Sequence, residues 1–140
     1  MPLTRRSLLI AGALVSAGCS AASSGHTPRA ATTTDASGLA RAHDLEQALI
    51  TAYDAKIADA TGSERARLEV ERAIHVAHLG ALRDRIPSAT ASPAASGHTP
   101  IAPLLRHSIR SLRSLALVAT SGADAALFAS IAASHETSLR

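Results

Sequence analysis

Residues 68–87 read LEVERAIHVAHLGALRDRIP, and this stretch decides the fold of the chain. Its apolar positions follow one another in steps of three and four residues, which is the spacing of one face of an α-helix. Pro87 ends the helix, because proline restricts the residue before it and cannot donate a backbone hydrogen bond. The face carries Leu68, Glu71, His75, His78, Leu82 and Ile86. The stretch therefore predicts an amphipathic helix that places polar side chains on its apolar face.

Three further segments have the same helical spacing. The first begins at Leu39 and ends at Gly62, and Ser63 is placed to cap the helix that follows. The other two cover about residues 103–120 and 124–140. Their apolar faces are formed by Leu39, Ala42, Glu46, Leu49, Tyr53 and Ile57, by Leu105, Ile109, Leu112 and Ala116, and by Phe128, Ile131, His135 and Leu139. Four such helices with one longer connection predict an all-α fold, an antiparallel four-helix bundle.

The composition narrows the function classes. A chain of 140 residues is expected to form one domain, and its only aromatic residues are Tyr53 and Phe128, which disfavours a β-sandwich. The net charge is +3, and it falls to +1 when Arg5 and Arg6 are left out. With no basic stripe and no stacking aromatics beside one, nucleic acid is not an expected partner.

Residues 1–18 have the pattern of an export signal. A short, positively charged N-terminal segment is followed by about ten apolar residues, which is about half the length that a membrane-spanning helix needs. Arg5-Arg6 before Ser7-Leu8-Leu9 resembles the twin-arginine export motif. The alternative is that the two arginines are only the positive start of a general secretory signal.

The end of this segment predicts a lipid anchor. Val15-Ser16-Ala17-Gly18-Cys19 is similar to the lipobox of bacterial lipoproteins, whose cysteine is lipidated and becomes the first mature residue. The alternative is a free thiol, which would be a reactive liability in an exported protein. Residues 19–37 hold almost no large apolar side chain and are expected to be a flexible tether before a helical domain at residues 38–140. The predicted location is the outer face of the cell membrane, with palmitate-type acyl chains on Cys19 as the membrane contact.

Five polar side chains fall on apolar helix faces where leucine would be expected. They are Glu46, Glu71, His75, His78 and His135. Burying charge without a partner costs several kcal/mol, so these groups must be satisfied by one another, by water or by a metal. Imidazoles and carboxylates that project inward from facing helices are a common way to bind Fe, Mn or Zn in a bundle. A hydrogen-bonded network that fixes helix register is the alternative.

Two segments support a family resemblance. Glu46-Gln47-Ala48-Leu49-Ile50-Thr51-Ala52-Tyr53 with Ala73-Ile74-His75-Val76-Ala77-His78-Leu79-Gly80-Ala81-Leu82-Arg83 resembles the first two helices of small ferritin-like proteins of actinobacteria, many of them uncharacterised. Residues 127–135 are similar to their last helix. The resemblance covers about residues 39–140 and implies a ferritin-like bundle.

The resemblance also implies a ligand pattern, and this chain departs from it. Glu46 matches the lone glutamate of the first helix, and His78 and His135 match the histidines of the second and fourth. In the family pattern, a glutamate stands three residues before the histidine of the second helix and of the fourth helix. In this chain His75 and Ala132 occupy those two positions. The third helix offers only His107 and no carboxylate. These departures argue against a di-iron oxidase, whereas a single ion could be satisfied by the remaining groups.

Two functions follow as hypotheses. The first is a membrane-tethered lipoprotein whose bundle is a non-catalytic binding or envelope-associated protein, with a homodimer or a neighbouring envelope protein as its partner. Exposed arginines of the third helix, such as Arg106 and Arg110, would then form the contact face. The second is a metal-binding or redox bundle that uses the five polar residues. Nothing in the chain predicts nucleophilic or phosphate chemistry.

Overall fold

The computed structural model of the chain describes residues 33–86 and 100–140. Arg5, Arg6, Cys19 and the predicted tether up to residue 32 lie outside the described residues, as do residues 87–99. None of the described helices is long and apolar enough to cross a membrane.

The described residues form four α-helices and contain no β-strand. The helices are α1 (Thr33–Asp59), α2 (Gly62–Arg83), α3 (Ile101–Val118) and α4 (Gly122–Ser138). The predicted all-α four-helix bundle is thereby confirmed. The inward faces predicted from the spacing are also confirmed, because their central members, such as Leu49, Leu82, Leu112 and Phe128, are buried.

Helix α1 begins earlier than predicted. Residues 33–37 were expected to belong to the tether, but they form the first turn of α1. Asp35 in this turn is buried, and one of its carboxylate oxygens accepts a hydrogen bond from the backbone N–H of Thr120 at 2.9 Å. The hydroxyl of Thr120 donates to the other oxygen. The early start is therefore stabilised by a contact 85 residues away in the chain, which local composition does not indicate.

The link between α1 and α2 is also tighter than predicted. Helix α2 begins at Gly62, and its N-cap residue is Thr61 rather than Ser63. Gly62 has a φ of 56°, in the left-handed region that side chains with a Cβ rarely adopt. A Cβ at this position would meet nothing within 4 Å, so the backbone angle and not the available space accounts for the glycine.

The contacts between helices fix their directions. Short links make α1–α2 and α3–α4 antiparallel hairpins, and the Asp35–Thr120 contact makes α3 antiparallel to α1. Helix α2 is antiparallel to α4, because Arg85 just after its end contacts Asp124 at the start of α4, and Glu71 contacts Ser138 near the end of α4. It follows that α2 and α3 run in the same direction. The connection between them therefore joins opposite ends of the bundle, which explains why it is the longest.

The core is divided along the bundle axis into two apolar clusters with a polar layer between them. One cluster consists of Leu39, Ala42, Leu82, Leu112, Phe128, Ile131 and Ala132, and the other of Tyr53, Ala60 and Leu68. In sequence order, Glu46 of α1 lies between Ala42 and Tyr53, and His75 of α2 lies between Leu68 and Leu82. The two apolar clusters thus enclose the polar layer from both ends.

Candidate metal centre

Three helices bring four of the predicted ligands to one point. Glu46 comes from α1, His75 and His78 from α2, and His135 from α4. One possible ligand atom from each of these residues lies within 4.8 Å of the others. The side chains of Glu46 and His75 are 0% exposed and that of His135 is 1% exposed, whereas that of His78 is 18% exposed. The cluster is therefore almost fully shielded from water, with its only partial opening at His78.

The Glu46 carboxylate is the centre of the cluster. Its Oε2 atom lies 2.9 Å from Nδ1 of His75 and 3.5 Å from Nδ1 of His78. Its Oε1 atom lies 2.9 Å from Nε2 of His135. The imidazole rings also crowd one another, with ring centroids 4.9 Å apart for His75 and His135. One carboxylate thus lies within 3.5 Å of a ring nitrogen from each of three imidazoles.

The hydrogen bonding within the cluster is incomplete. His75 Nδ1 and Glu46 Oε2 form a hydrogen bond. His135 Nε2 and Glu46 Oε1 lie 2.9 Å apart but do not form a hydrogen bond. Both atoms lack a hydrogen-bond partner among the described residues. The same holds for His75 Nε2, His78 Nδ1 and His135 Nδ1. Because most buried polar atoms in proteins are hydrogen-bonded, so many lone atoms in one place require an explanation.

The electrostatics of the cluster favour an ionised carboxylate. Burial acts to raise the pKa of Glu46, but the imidazoles of His135, His75 and His78 lower it by more, so the pKa lies well below its usual range. Glu46 is therefore an anion at neutral pH. A buried anion that faces three imidazole nitrogens brings one negative charge to a set of nitrogen and oxygen ligand atoms, which suits a divalent cation.

The dimensions of the cluster fit one metal ion. Bonds of about 2.0–2.1 Å to four tetrahedral ligands place the donor atoms about 3.3–3.4 Å from one another. The contacts to Glu46 of 2.9 and 3.5 Å lie close to this value, whereas the outer limit of 4.8 Å exceeds it, so the side chains must move closer together by less than about 1.5 Å to bind one ion. A single carboxylate does not balance two divalent ions, and α3 adds no acidic residue. The residues present therefore fit one ion and do not fit a di-metal centre.

Glu71, the fifth predicted ligand, is not among the four residues that meet in this cluster. It lies one turn before His75 on α2, but its carboxylate accepts a hydrogen bond of 2.7 Å from the hydroxyl of Ser138. The side chain is half-buried and links α2 to the end of α4. Helical spacing placed Glu71 on the correct side of α2 but did not indicate that α4 offers it a closer partner.

Tyr53 borders the cluster from the side of the second apolar cluster. Its ring centroid lies 5.1 Å from that of His75, and the residue is 3% exposed. Burial, with a further contribution from the negative charge of Glu71, raises the pKa of Tyr53 to about 12. The phenol is therefore neutral at physiological pH, and its aromatic ring packs against the imidazole of His75.

Besides Asp35, two further buried polar residues were not predicted to lie in the core. Ser108 of α3 is fully buried, and its hydroxyl has no hydrogen-bond partner among the described residues. Its position three residues after Leu105 and four before Leu112 would have revealed it as a polar member of the apolar face. His43 is also buried, whereas His107 of α3 is exposed.

The chain matches no known protein family, no curated protein and no solved structure. The argument for function therefore depends on the residues and geometry of the cluster.

Proposed function

We propose that this chain is a metal-binding protein in which Glu46, His75, His78 and His135 hold one divalent ion. The observation that carries the proposal is the pair of facing atoms His135 Nε2 and Glu46 Oε1, which lie 2.9 Å apart without hydrogen-bond geometry. A ring nitrogen and a carboxylate oxygen this close together, without hydrogen-bond geometry, are both available to bind a cation that lies near them. An ion at this position would satisfy both atoms and the unpartnered Nδ1 of His78.

The donor set selects among metals. Three imidazole nitrogens and one carboxylate oxygen suit ions of intermediate softness such as zinc, iron(II) and copper(II). Magnesium and calcium need more oxygen ligands than the single carboxylate of Glu46 offers, and manganese is disfavoured for the same reason. Among the candidates, zinc suits four protein ligands in a tetrahedral arrangement best. Such an ion has no open position, which favours a structural role over catalysis.

A plain hydrogen-bonded network is the competing explanation for the cluster. A network stabilises a core only when its members are satisfied, and a half-satisfied network is worse than apolar packing. Here one hydrogen bond joins His75 to Glu46, while the other two imidazoles have none to the carboxylate. A metal ion would bind Glu46 Oε1, His135 Nε2 and His78 Nδ1, whereas the network leaves these three atoms buried and unpaired.

The experiment is a metal analysis of the full chain with Cys19→Ser, which prevents lipid attachment. The protein is exposed separately to zinc, iron(II) and manganese(II), dialysed, and analysed by mass spectrometry for bound metal. We expect about one zinc per chain, little manganese, and a large loss of zinc in His78→Ala. His107→Ala is the matched control, because this exposed histidine lies outside the cluster. A folded wild-type protein that retains no ion would overturn the proposal.

We also propose that the bundle is exported and anchored at the membrane surface through acyl chains on Cys19. The support is the sequence pattern of residues 1–19, with its paired arginines, short apolar segment and lipobox-like end. Cys19→Ala should release the mature protein from membranes into the soluble fraction. Replacing Arg5 and Arg6 by lysine should block export if the twin-arginine route is used and leave it intact if the general secretory route is used.

The ferritin-like resemblance is retained as a proposal about descent. Its support is the long connection between two helical hairpins, because ferritin-like bundles have one such crossover. A non-catalytic binding role at the envelope is compatible with this architecture. Arg106 and Arg110 are exposed on α3, and a basic face near a membrane attracts anionic headgroups. Charge reversal of both arginines should weaken binding to anionic vesicles and leave the zinc content unchanged.

A further inference from the structure

The outward face of α2 is apolar over three helical turns. Between Glu69 and Arg83, the exposed residues of this helix are uncharged and small or aliphatic, apart from Arg72, whose side chain is 37% exposed and forms an ion pair with Asp54 of α1. These residues are Val70, Ala73, Val76, Ala77, Gly80 and Ala81. Val70 is 64% exposed and Val76 is 43% exposed, although valine is a residue that proteins usually bury. No described residue of α1, α3 or α4 covers this face.

Gly80 gives an independent reason to expect a close neighbour on this face. It lies inside α2 and has no positive φ angle, so its backbone does not require glycine. A Cβ at this position would meet nothing within 4 Å in the described part of the chain, so no intramolecular contact requires glycine either. Glycine is less favourable than alanine inside a helix. Its presence is explained if another backbone approaches α2 at this point from outside.

The charges at the two ends of the face make it complementary to itself. Glu69, Ala73, Val76, Gly80 and Arg83 follow one another in alternating steps of four and three residues, the spacing of a seam between two packed helices. Glu69 and Arg83 each lie seven residues from Val76, on opposite sides. In a pair of antiparallel α2 helices related by a two-fold axis beside Val76, Glu69 of each copy faces Arg83 of the other.

We propose that this face binds a second copy of the chain, with the two α2 helices antiparallel and Val76 beside the two-fold axis. Small residues at Ala73, Ala77 and Gly80 allow the helix axes to approach to about 8 Å, the lower end of the usual range. The valines are then removed from water, and two Glu69–Arg83 contacts flank the apolar centre. The proposal is independent of the metal centre, whose ligands lie on the inward side of α2.

Two single-cysteine variants test the geometry. In the full chain with Cys19→Ser, Val76→Cys and Val70→Cys each introduce the only thiol. The proposed axis brings the two copies of position 76 together, whereas the two copies of position 70 lie about 18 Å apart, since each is six residues from the axis at a rise of 1.5 Å per residue. A disulfide needs Cα atoms within about 7 Å. Mild oxidation should therefore give a covalent dimer with Val76→Cys and not with Val70→Cys.

Position 70 is a strict control because it is the more exposed valine on the same helix. Cross-linking of both variants would indicate random association and would overturn the proposed arrangement. Absence of cross-linking at position 76 would overturn the interface itself. Association through other parts of the chain, including the first nineteen residues, affects both variants equally and cannot produce the difference between them.

A charge exchange tests the contacts at the ends of the face. In the Val76→Cys background, Glu69→Arg places like charges opposite each other and should slow disulfide formation about three- to tenfold, which is the range for two exposed charge pairs. Adding Arg83→Glu should restore the original rate. A rate that the first change leaves unaltered, or that the second change fails to restore, would contradict the proposed pairing of Glu69 with Arg83.

Discussion

Replacing His78 by alanine tests the metal centre with the least damage to the bundle. This histidine is the one ligand with appreciable exposure, 18% of its side chain, and its Nδ1 has no hydrogen bond to lose among the described residues. Structural zinc sites with four ligands bind with an apparent free energy of about 10–16 kcal/mol, or about 3 kcal/mol for each ligand. Loss of one ligand should therefore weaken zinc binding by about two orders of magnitude while the protein stays folded.

The assay is a competition titration with a chromophoric zinc chelator, followed by thermal unfolding at a fixed free zinc concentration. At a free zinc concentration 100 times the wild-type dissociation constant, binding adds about 2.7 kcal/mol of stability. This corresponds to a rise of about 11–22 °C in melting temperature for a domain of this size. His78→Ala should lose most of this rise, and His107→Ala should keep it. Equal zinc affinity in His78→Ala and the wild type would refute the assignment of His78 as a ligand.

Two further predictions concern the metal-free protein. The folded-state pKa of Glu46 is lowered, so the stability that its charge contributes is fully present above pH 4.5, its unfolded value, and is lost as the pH falls below that value. The difference in unfolding free energy between the wild type and Glu46→Gln, measured by urea titration, should thus shrink as the pH falls below 4.5, and a difference that grows in acid would contradict the pKa assignment. Phe128→Ala should cost about 3–5 kcal/mol because the ring is fully buried in the larger apolar cluster. Leu117→Ala, at a side chain that is 87% exposed, should change stability by less than about 0.5 kcal/mol, and similar costs at both positions would contradict the described core.

Much of the fold was predictable from the sequence because the helices are long and their apolar faces are regular. The spacing from Leu39 to Tyr53 and from Leu105 to Leu112 identified residues that are buried in the structure. The start of α1 was not predictable, since the turn at Asp35 is stabilised by Thr120 from the other hairpin. Local composition, which is poor in apolar residues there, indicated a tether instead.

The candidate site was predictable to the level of helix faces and no further. Glu46, His75, His78 and His135 were identified because polar residues stood at apolar positions, and all four meet in the structure. Glu71 also stands at an apolar position of its helix, yet its carboxylate contacts Ser138. The rotation of α4 about its own axis determines which of its side chains lies next to Glu71 and which lies next to Glu46. Helical spacing assigns a side to a residue, whereas the packing of three helices decides which side chains reach a common point.

The central claim is that one ion lies between Glu46 and the three histidines. The most direct test is an anomalous X-ray diffraction measurement at the zinc absorption edge, on crystals of the protein grown with zinc. The account predicts a single strong peak within about 2.0–2.2 Å of Glu46 and of one ring nitrogen from each of His75, His78 and His135. A map without a peak among these four side chains, while zinc is bound elsewhere or not at all, would contradict it.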